Sequence, residues 1–241
     1  MKYIFIIYFS LLITISDAQN GAIPPVIRAQ NTLDDISRGG VGPNTFLYGL
    51  PVQPGSLVGD FYLDNKWNKS RVLLYAGDKL LEGILSRFDL KNQHLEIKVD
   101  NAIKILEINR IKSLVWFDSE TNQPSYYVNA QDYIFHETKL TGLLEVVVDG
   151  RLPLLKFTVI TIKKADYNVA LDVGSKDDKV LHKEILFFSL ENNLHEIKSK
   201  KSLATVFKDS QSKVEEFVRI NKLSFSKEKD IKRIFEFYNS F

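Results

Sequence analysis

The chain has 241 residues, 44% hydrophobic and 26% charged, so it is long enough and apolar enough to bury a substantial core. A net charge of +2 speaks against a dedicated nucleic-acid binder, which carries a strongly basic face. With no cysteine, disulfides, thiol nucleophiles and Cys-ligated zinc or iron–sulfur sites are excluded.

Lys2, the apolar run Tyr3 to Ile15 and the small residues around Ser16-Asp17-Ala18 follow the order of a secretory signal peptide, with cleavage expected after Ala18. The run is short for a bilayer-spanning helix, which needs about 20 residues. No second run of that length follows, so the mature chain is expected to lack a transmembrane segment. Its expected location is periplasmic or extracellular, including the periphery of the outer membrane.

Residues 19–57 form an N-terminal arm punctuated by Pro24-Pro25, Gly39-Gly40, Gly42-Pro43 and Pro54-Gly55. Gly39-Gly40-Val41-Gly42 lacks the Lys-Ser/Thr ending of a phosphate loop and reads as a plain loop.

Residues 58–198 read as an antiparallel β domain. Arg71 to Tyr75 and Lys79 to Leu85 flank the turn Ala76-Gly77-Asp78. His94 to Val99 alternates, with Leu95, Ile97 and Val99 on one face and His94, Glu96 and Lys98 on the other. Such a face is wet or covered by something polar, and His94 is assigned to the solvent side. Ala102 to Leu106 and Ile111 to Phe117 continue the meander, and Asp118 to Asn129 reads as a polar connection. Asp149-Gly150, between Gly142 to Val148 and Leu154 to Ile162, is a strong hairpin signal. Val180 to Leu190 and Leu194 to Ile197 make a further hairpin, for about nine or ten strands in all.

From Ser199 to the end the period becomes helical. Leu203, Val206 and Phe207, then Val214, Phe217 and Val218, then Ile231, Ile234, Phe235 and Tyr238 mark three short amphipathic helices, with N-caps expected at Ser199, Ser210 and Ser226. The expected fold is therefore mainly β, an antiparallel meander, sandwich or partial barrel, with a C-terminal three-helix segment, α+β overall. Residues 198–233 hold eleven basic and five acidic side chains; their interleaving suits a solvated helix face and allows peripheral membrane contact.

His94, His136, His182 and His195 show no metal-ligand spacing, and neither H-E-x-x-H nor G-x-S-x-G occurs. No motif implies a cofactor or assigns a catalytic residue. Asp172, Asp177 and Asp178 around Gly174 are candidate calcium ligands, although the loop departs from the EF-hand pattern and also reads as a turn with solvated acids.

Four stretches carry a resemblance. Gly59 to Leu63 through Trp67, Leu90 to Leu95, Tyr167-Asn168 through Val173 to Lys176, and Phe235 to Ser240 resemble, in this order, a family of uncharacterised exported β-rich proteins of Gram-negative bacteria. The resemblance implies an envelope or extracellular location and a β-rich body with a helical end. The expected function is a non-enzymatic binding or structural module whose partner is an envelope protein or ligand. The alternatives are a periplasmic carrier or sensor of a lipid-like ligand, and a hydrolase with paired carboxylates.

Overall fold

The computed structural model describes residues 55–168, 171–207 and 210–241, which belong to the unit Pro54–Phe241. The expected signal peptide and nearly all of the Gly/Pro-rich arm lie outside the described residues.

Thirteen strands join one mixed sheet: β1 (Leu57–Val58), β2 (Asn68–Leu74), β3 (Leu80–Asp89), β4 (His94–Val99), β5 (Ala102–Glu107), β6 (Ile111–Phe117), β7 (Pro124–Asn129), β8 (Ile134–Phe135), β9 (Thr138–Lys139), β10 (Leu143–Val148), β11 (Leu154–Lys163), β12 (Asp178–Leu190) and β13 (Asn193–Glu196). Their order is β5-β4-β3-β2-β6-β7-β10-β11-β12-β13-β8-β9, with β1 added to β12. The β1–β12 and β13–β8 pairs are parallel and the rest antiparallel. Helices α1 (Lys200–Phe207), α2 (Gln211–Ile220) and α3 (Glu228–Asn239) follow, so the fold is mainly β with a helical end. Among the described residues no helix is long and apolar enough to cross a membrane.

The strand expected at Lys79 to Leu85 is longer in the structure, running as β3 from Leu80 to Asp89. Its pairing with β2 shifts by one residue at Gly83, whose φ of +69° is the left-handed backbone such a bulge needs. The connection expected at Asp118 to Asn129 instead contains β7, which lies between β6 and β10. Pro124 opens that strand, where a missing N–H is tolerated, and Tyr126-Tyr127-Val128 supply aromatic and β-branched side chains. The two-residue strands β1, β8 and β9 are too short to show a period, which is why the expected strand number was low.

Alternation divides the side chains between two faces. On one face Val72, Phe88, Leu95, Leu114, Trp116 and Tyr127 form an apolar cluster, against which Ile160 of β11 packs. Farther along, Leu154 and Phe188 meet Leu203, Phe207, Val214, Ile234 and Phe235 of the helices. Most helical apolar positions read from the sequence therefore pack into the cluster with the sheet, whereas Phe217 stacks on Phe237 of α3 with ring centres 4.0 Å apart. The opposite face carries a third cluster of Leu144, Leu155, Phe187 and Leu194. Inside the first cluster the Trp116 indole N–H donates to Ser86 Oγ at 2.9 Å, Ser86 Oγ to Ser70 Oγ at 2.9 Å, and Ser70 Oγ to the Ile84 carbonyl at 3.1 Å. The chain of donors satisfies polar groups that would be costly if buried alone.

Two contacts seat α3. Asn239 Oδ1 accepts from Leu152 N at 2.9 Å while its Nδ2 donates to the Leu152 carbonyl at 2.9 Å. An added Cβ on Gly150 (φ +141°) would lie 2.7 Å from Asn239 Cγ, so the hairpin read at Asp149-Gly150 also needs glycine to admit the helix end. Capping differs from expectation. Ser210 precedes α2 without a side-chain capping bond, and the residue before α3 is Lys227. Ser226 Oγ instead lies 2.7 Å from Ser224 Oγ.

Between the two clusters of the first face lies a polar belt. Lys156 Nζ sits 3.0 Å from Glu145, 3.4 Å from Glu184 and 3.2 Å from Glu228. Burial alone would push its pKa down, but the three carboxylates outweigh burial and hold it well above the ordinary lysine value. A raised lysine pKa contributes stability that is complete at neutral pH and lost only as pH climbs through the alkaline range. Lys156→Met removes the cation that, among the described residues, the belt's three carboxylates share. At pH 7 we expect a loss of about 2 kcal/mol in urea unfolding, below the cost of a fully buried pair because Glu184 is half exposed. An unchanged midpoint would show that the belt carries no stability.

Candidate functional site

The polar side of the β3–β4 hairpin is covered near its turn, while Lys98 farther along stays exposed. In register, Arg87 lies opposite Glu96 and Asp89 opposite His94, so four polar side chains share one face. Residues 61–67 lie over them. Leu63 N donates to the Phe88 carbonyl at 2.9 Å and Leu90 N to the Phe61 carbonyl at 2.8 Å, which pins this strap to the end of β3. The Arg87 guanidinium carbon sits 3.9 Å from the Tyr62 ring centre and 4.5 Å from that of Trp67. Its Nε donates to Glu96 Oε2 at 2.7 Å, and the Tyr62 hydroxyl donates to Glu96 Oε1 at 3.2 Å. Burial, opposed by Arg87 and aided by Glu96, holds the Tyr62 pKa above its ordinary value.

The assignment of His94 to solvent is corrected, since only 13% of its side chain is exposed. Its Nε2 is 3.9 Å from Glu96 Oε1, beyond hydrogen-bond range, and its ring makes no hydrogen bond among the described residues. Asp89 Oδ1 accepts from Lys91 N and Asn92 N, both at 2.8 Å, and Oδ2 accepts from Asn92 Nδ2 at 2.8 Å. One ligand atom each from Asp89, His94 and Glu96 lies within 4.8 Å of the other two. The sequence held no spacing signal for this cluster, because a hairpin's register and a distant strap assemble it. The one legible clue was the alternation itself, which left that face either wet or covered by something polar.

The opposite face also carries a cleft of about 540 Å³ over β6, β7 and β10. Its lining includes Val115, Val128, Val146 and Leu155 with the aromatic Tyr126 and Tyr133, and Ser113 and Asp149 supply polar atoms. That volume is in the range of small-molecule sites, whose linings are mainly apolar with a few polar groups. A second, more open cleft of about 640 Å³ holds His136 and His195, the latter stacked on Phe188 with ring centres 4.9 Å apart.

The three acids read from the 166–179 loop have separate engagements. Asp172 Oδ1 accepts from the Tyr167 hydroxyl at 2.6 Å. Asp177 Oδ1 accepts from Ser56 N at 2.8 Å. Asp178 lies on β12, where Lys164 Nζ (2.7 Å) and Ala165 N (2.8 Å) hold its pKa below the ordinary carboxylate value. Each acid thus fixes a different part of the loop. His182 Nε2 lies 3.1 Å from the Asp60 carbonyl, tying the strap to β12.

Arg87→Ala strands the Glu96 carboxylate under the strap and removes the plate between two rings. The expected cost is about 3 kcal/mol in chemical unfolding, with new protease cleavage at residues 60–67 under native conditions. Stability and cleavage both unchanged would refute the anchoring role. No protein-family model, curated protein or solved structure matches this chain.

Proposed function

We propose that the chain is an exported, envelope-associated protein, periplasmic or extracellular, acting as a non-enzymatic binding module. The supporting observation is the cleft lined by Val115, Val128, Val146 and Leu155, a concavity suited to holding a molecule. Export rests on the apolar N-terminal run and the small residues around Ala18. Production of the full chain in a Gram-negative host, with fractionation and N-terminal sequencing, should give a mature protein that starts at Gln19 outside the cytoplasm. Uncleaved protein retained inside would sink the export reading.

The make-up of the cleft favours one ligand class. Branched aliphatic side chains offer apolar contact without orienting polar groups, and Ser113 and Asp149 stand where a polar head could bond. The ligand is accordingly lipid-like, with an aliphatic body and a hydrogen-bonding head, and the protein is its carrier or sensor. The sheet form is a separate matter, since the cleft lies on the face opposite the first apolar cluster. The β3–β4 turn reaches β10 and β11, with Gln93 Oε1 only 3.0 Å from where a Cβ on Gly142 would stand. We infer a partial barrel, curved around the first apolar cluster.

Titration with a fluorescent fatty-acid analogue should show saturable binding that unlabelled fatty acid displaces. Val115→Trp should fill the cleft and weaken binding by at least about tenfold, since an overfilled apolar site cannot hold its ligand without strain. Absence of saturable binding, or equal binding by a folded Val115→Trp chain, would remove the lipid-like reading.

A further inference from the structure

We propose that Asp89, His94 and Glu96 form a binding site for a divalent transition-metal ion, separate from the apolar cleft. Their ligand atoms lie within 4.8 Å of one another, and the antiparallel β3–β4 ladder fixes the backbone beneath all three. A bound ion sits about 2.0–2.2 Å from nitrogen and oxygen donors. Rotation of the Glu96 and His94 side chains closes the remaining gap without moving a strand. One imidazole nitrogen with two carboxylate oxygens suits Zn²⁺, Mn²⁺ or Fe²⁺, whereas Ca²⁺ takes six to eight oxygens.

The surroundings are already arranged as a metal's outer sphere. Glu96 directs Oε2 to Arg87, while Oε1 accepts from the Tyr62 hydroxyl and lies toward His94. Asp89 takes both backbone N–H groups of its turn on Oδ1, and Oδ2 takes the Asn92 amide. Hydrogen bonds thus orient both carboxylates, and Glu96 Oε1 and Asp89 Oδ2, each with one such bond, keep a lone pair for an ion. Of the two carboxylates only Glu96 is paired with a cation, Arg87, among the described residues, so the cluster carries negative charge that a dication would neutralise.

An independent observation comes from His94. Its imidazole, 13% exposed, has Nε2 3.9 Å from Glu96 Oε1 and makes no hydrogen bond among the described residues. A ring nitrogen beside a carboxylate and not taken up by a hydrogen bond is placed to ligate an ion. Tyr62 and Trp67 cover the Arg87 side of the cluster, while the 13% exposure of the His94 and Glu96 side chains admits an ion from solvent.

The test uses the full chain stripped of metal with a chelator. Calorimetric titration with Zn²⁺ should show one ion per chain with micromolar or tighter affinity, and Zn²⁺ should raise the unfolding temperature. His94→Ala and Asp89→Asn should each weaken binding by at least about tenfold, while His136→Ala and His195→Ala leave it unchanged. Because a variant could fail to fold, Co²⁺ is added to the unmutated chain while histidine ring protons are followed by NMR. The His94 resonances should shift or broaden at the first equivalent, ahead of His136, His182 and His195. No saturable uptake, equal uptake by a folded His94→Ala chain, or first perturbation of another histidine would overturn the proposal.

Discussion

Much of this structure depends on one guanidinium. Arg87 lies between two aromatic rings and pairs with a carboxylate across the hairpin, so its charge is met by π faces and an anion with little water present. The geometry fixes the strap 61–67 over β3 and β4. Upstream, the same segment is bonded to β12 through β1 and through the contact of Asp60 with His182. A single stretch of chain thus touches both an early and a late part of the sheet. Lysine could not replace Arg87 here, because an ammonium lacks the flat surface that two rings can stack on.

The second organising constraint is the polar belt around Lys156. It lies between the two apolar clusters of the first face and gives the start of α3 a charged anchor on β11. Glu228 opens α3 and reaches the lysine of β11, so the helix start is fixed by charge while Asn239 fixes its end by hydrogen bonds. Hydrophobic burial brings the helices to the sheet, and these two polar contacts select one placement on it. The opposite face is left with its own apolar cluster, beside which the cleft lies.

Most of the frame was legible in the sequence, for reasons of period. His94 to Val99 alternates so cleanly that the strand bounds could be read directly, and Asp149-Gly150 marked its hairpin. The helical apolar stripe from Leu203 to Tyr238 was equally plain. β7 was hidden because Pro124 and Ser125 look like loop chemistry, although strand-forming residues follow them. Site residues were less legible than the frame. The Asp89, His94 and Glu96 cluster depends on strand register and on the strap, neither of which leaves a spacing signature. The acids at 172, 177 and 178 stood out by crowding in sequence, yet in space each serves a separate turn or strand.

The pairing of β1 with β12 bears on how the chain folds. Most ladders here join strands that follow closely in sequence, and such local contacts close small loops quickly. The bond from Ser56 to Asp177 spans 121 residues. Closing that loop costs chain entropy that only an already assembled sheet can offset. The pairing of β1 with β12 therefore follows the meander, whereas the strap's own contacts with Arg87 and Phe88 are local in sequence. Until β1 arrives, the start of β12 offers an uncovered strand edge to water and to other chains, a stage at which a newly made protein is most exposed to misassembly.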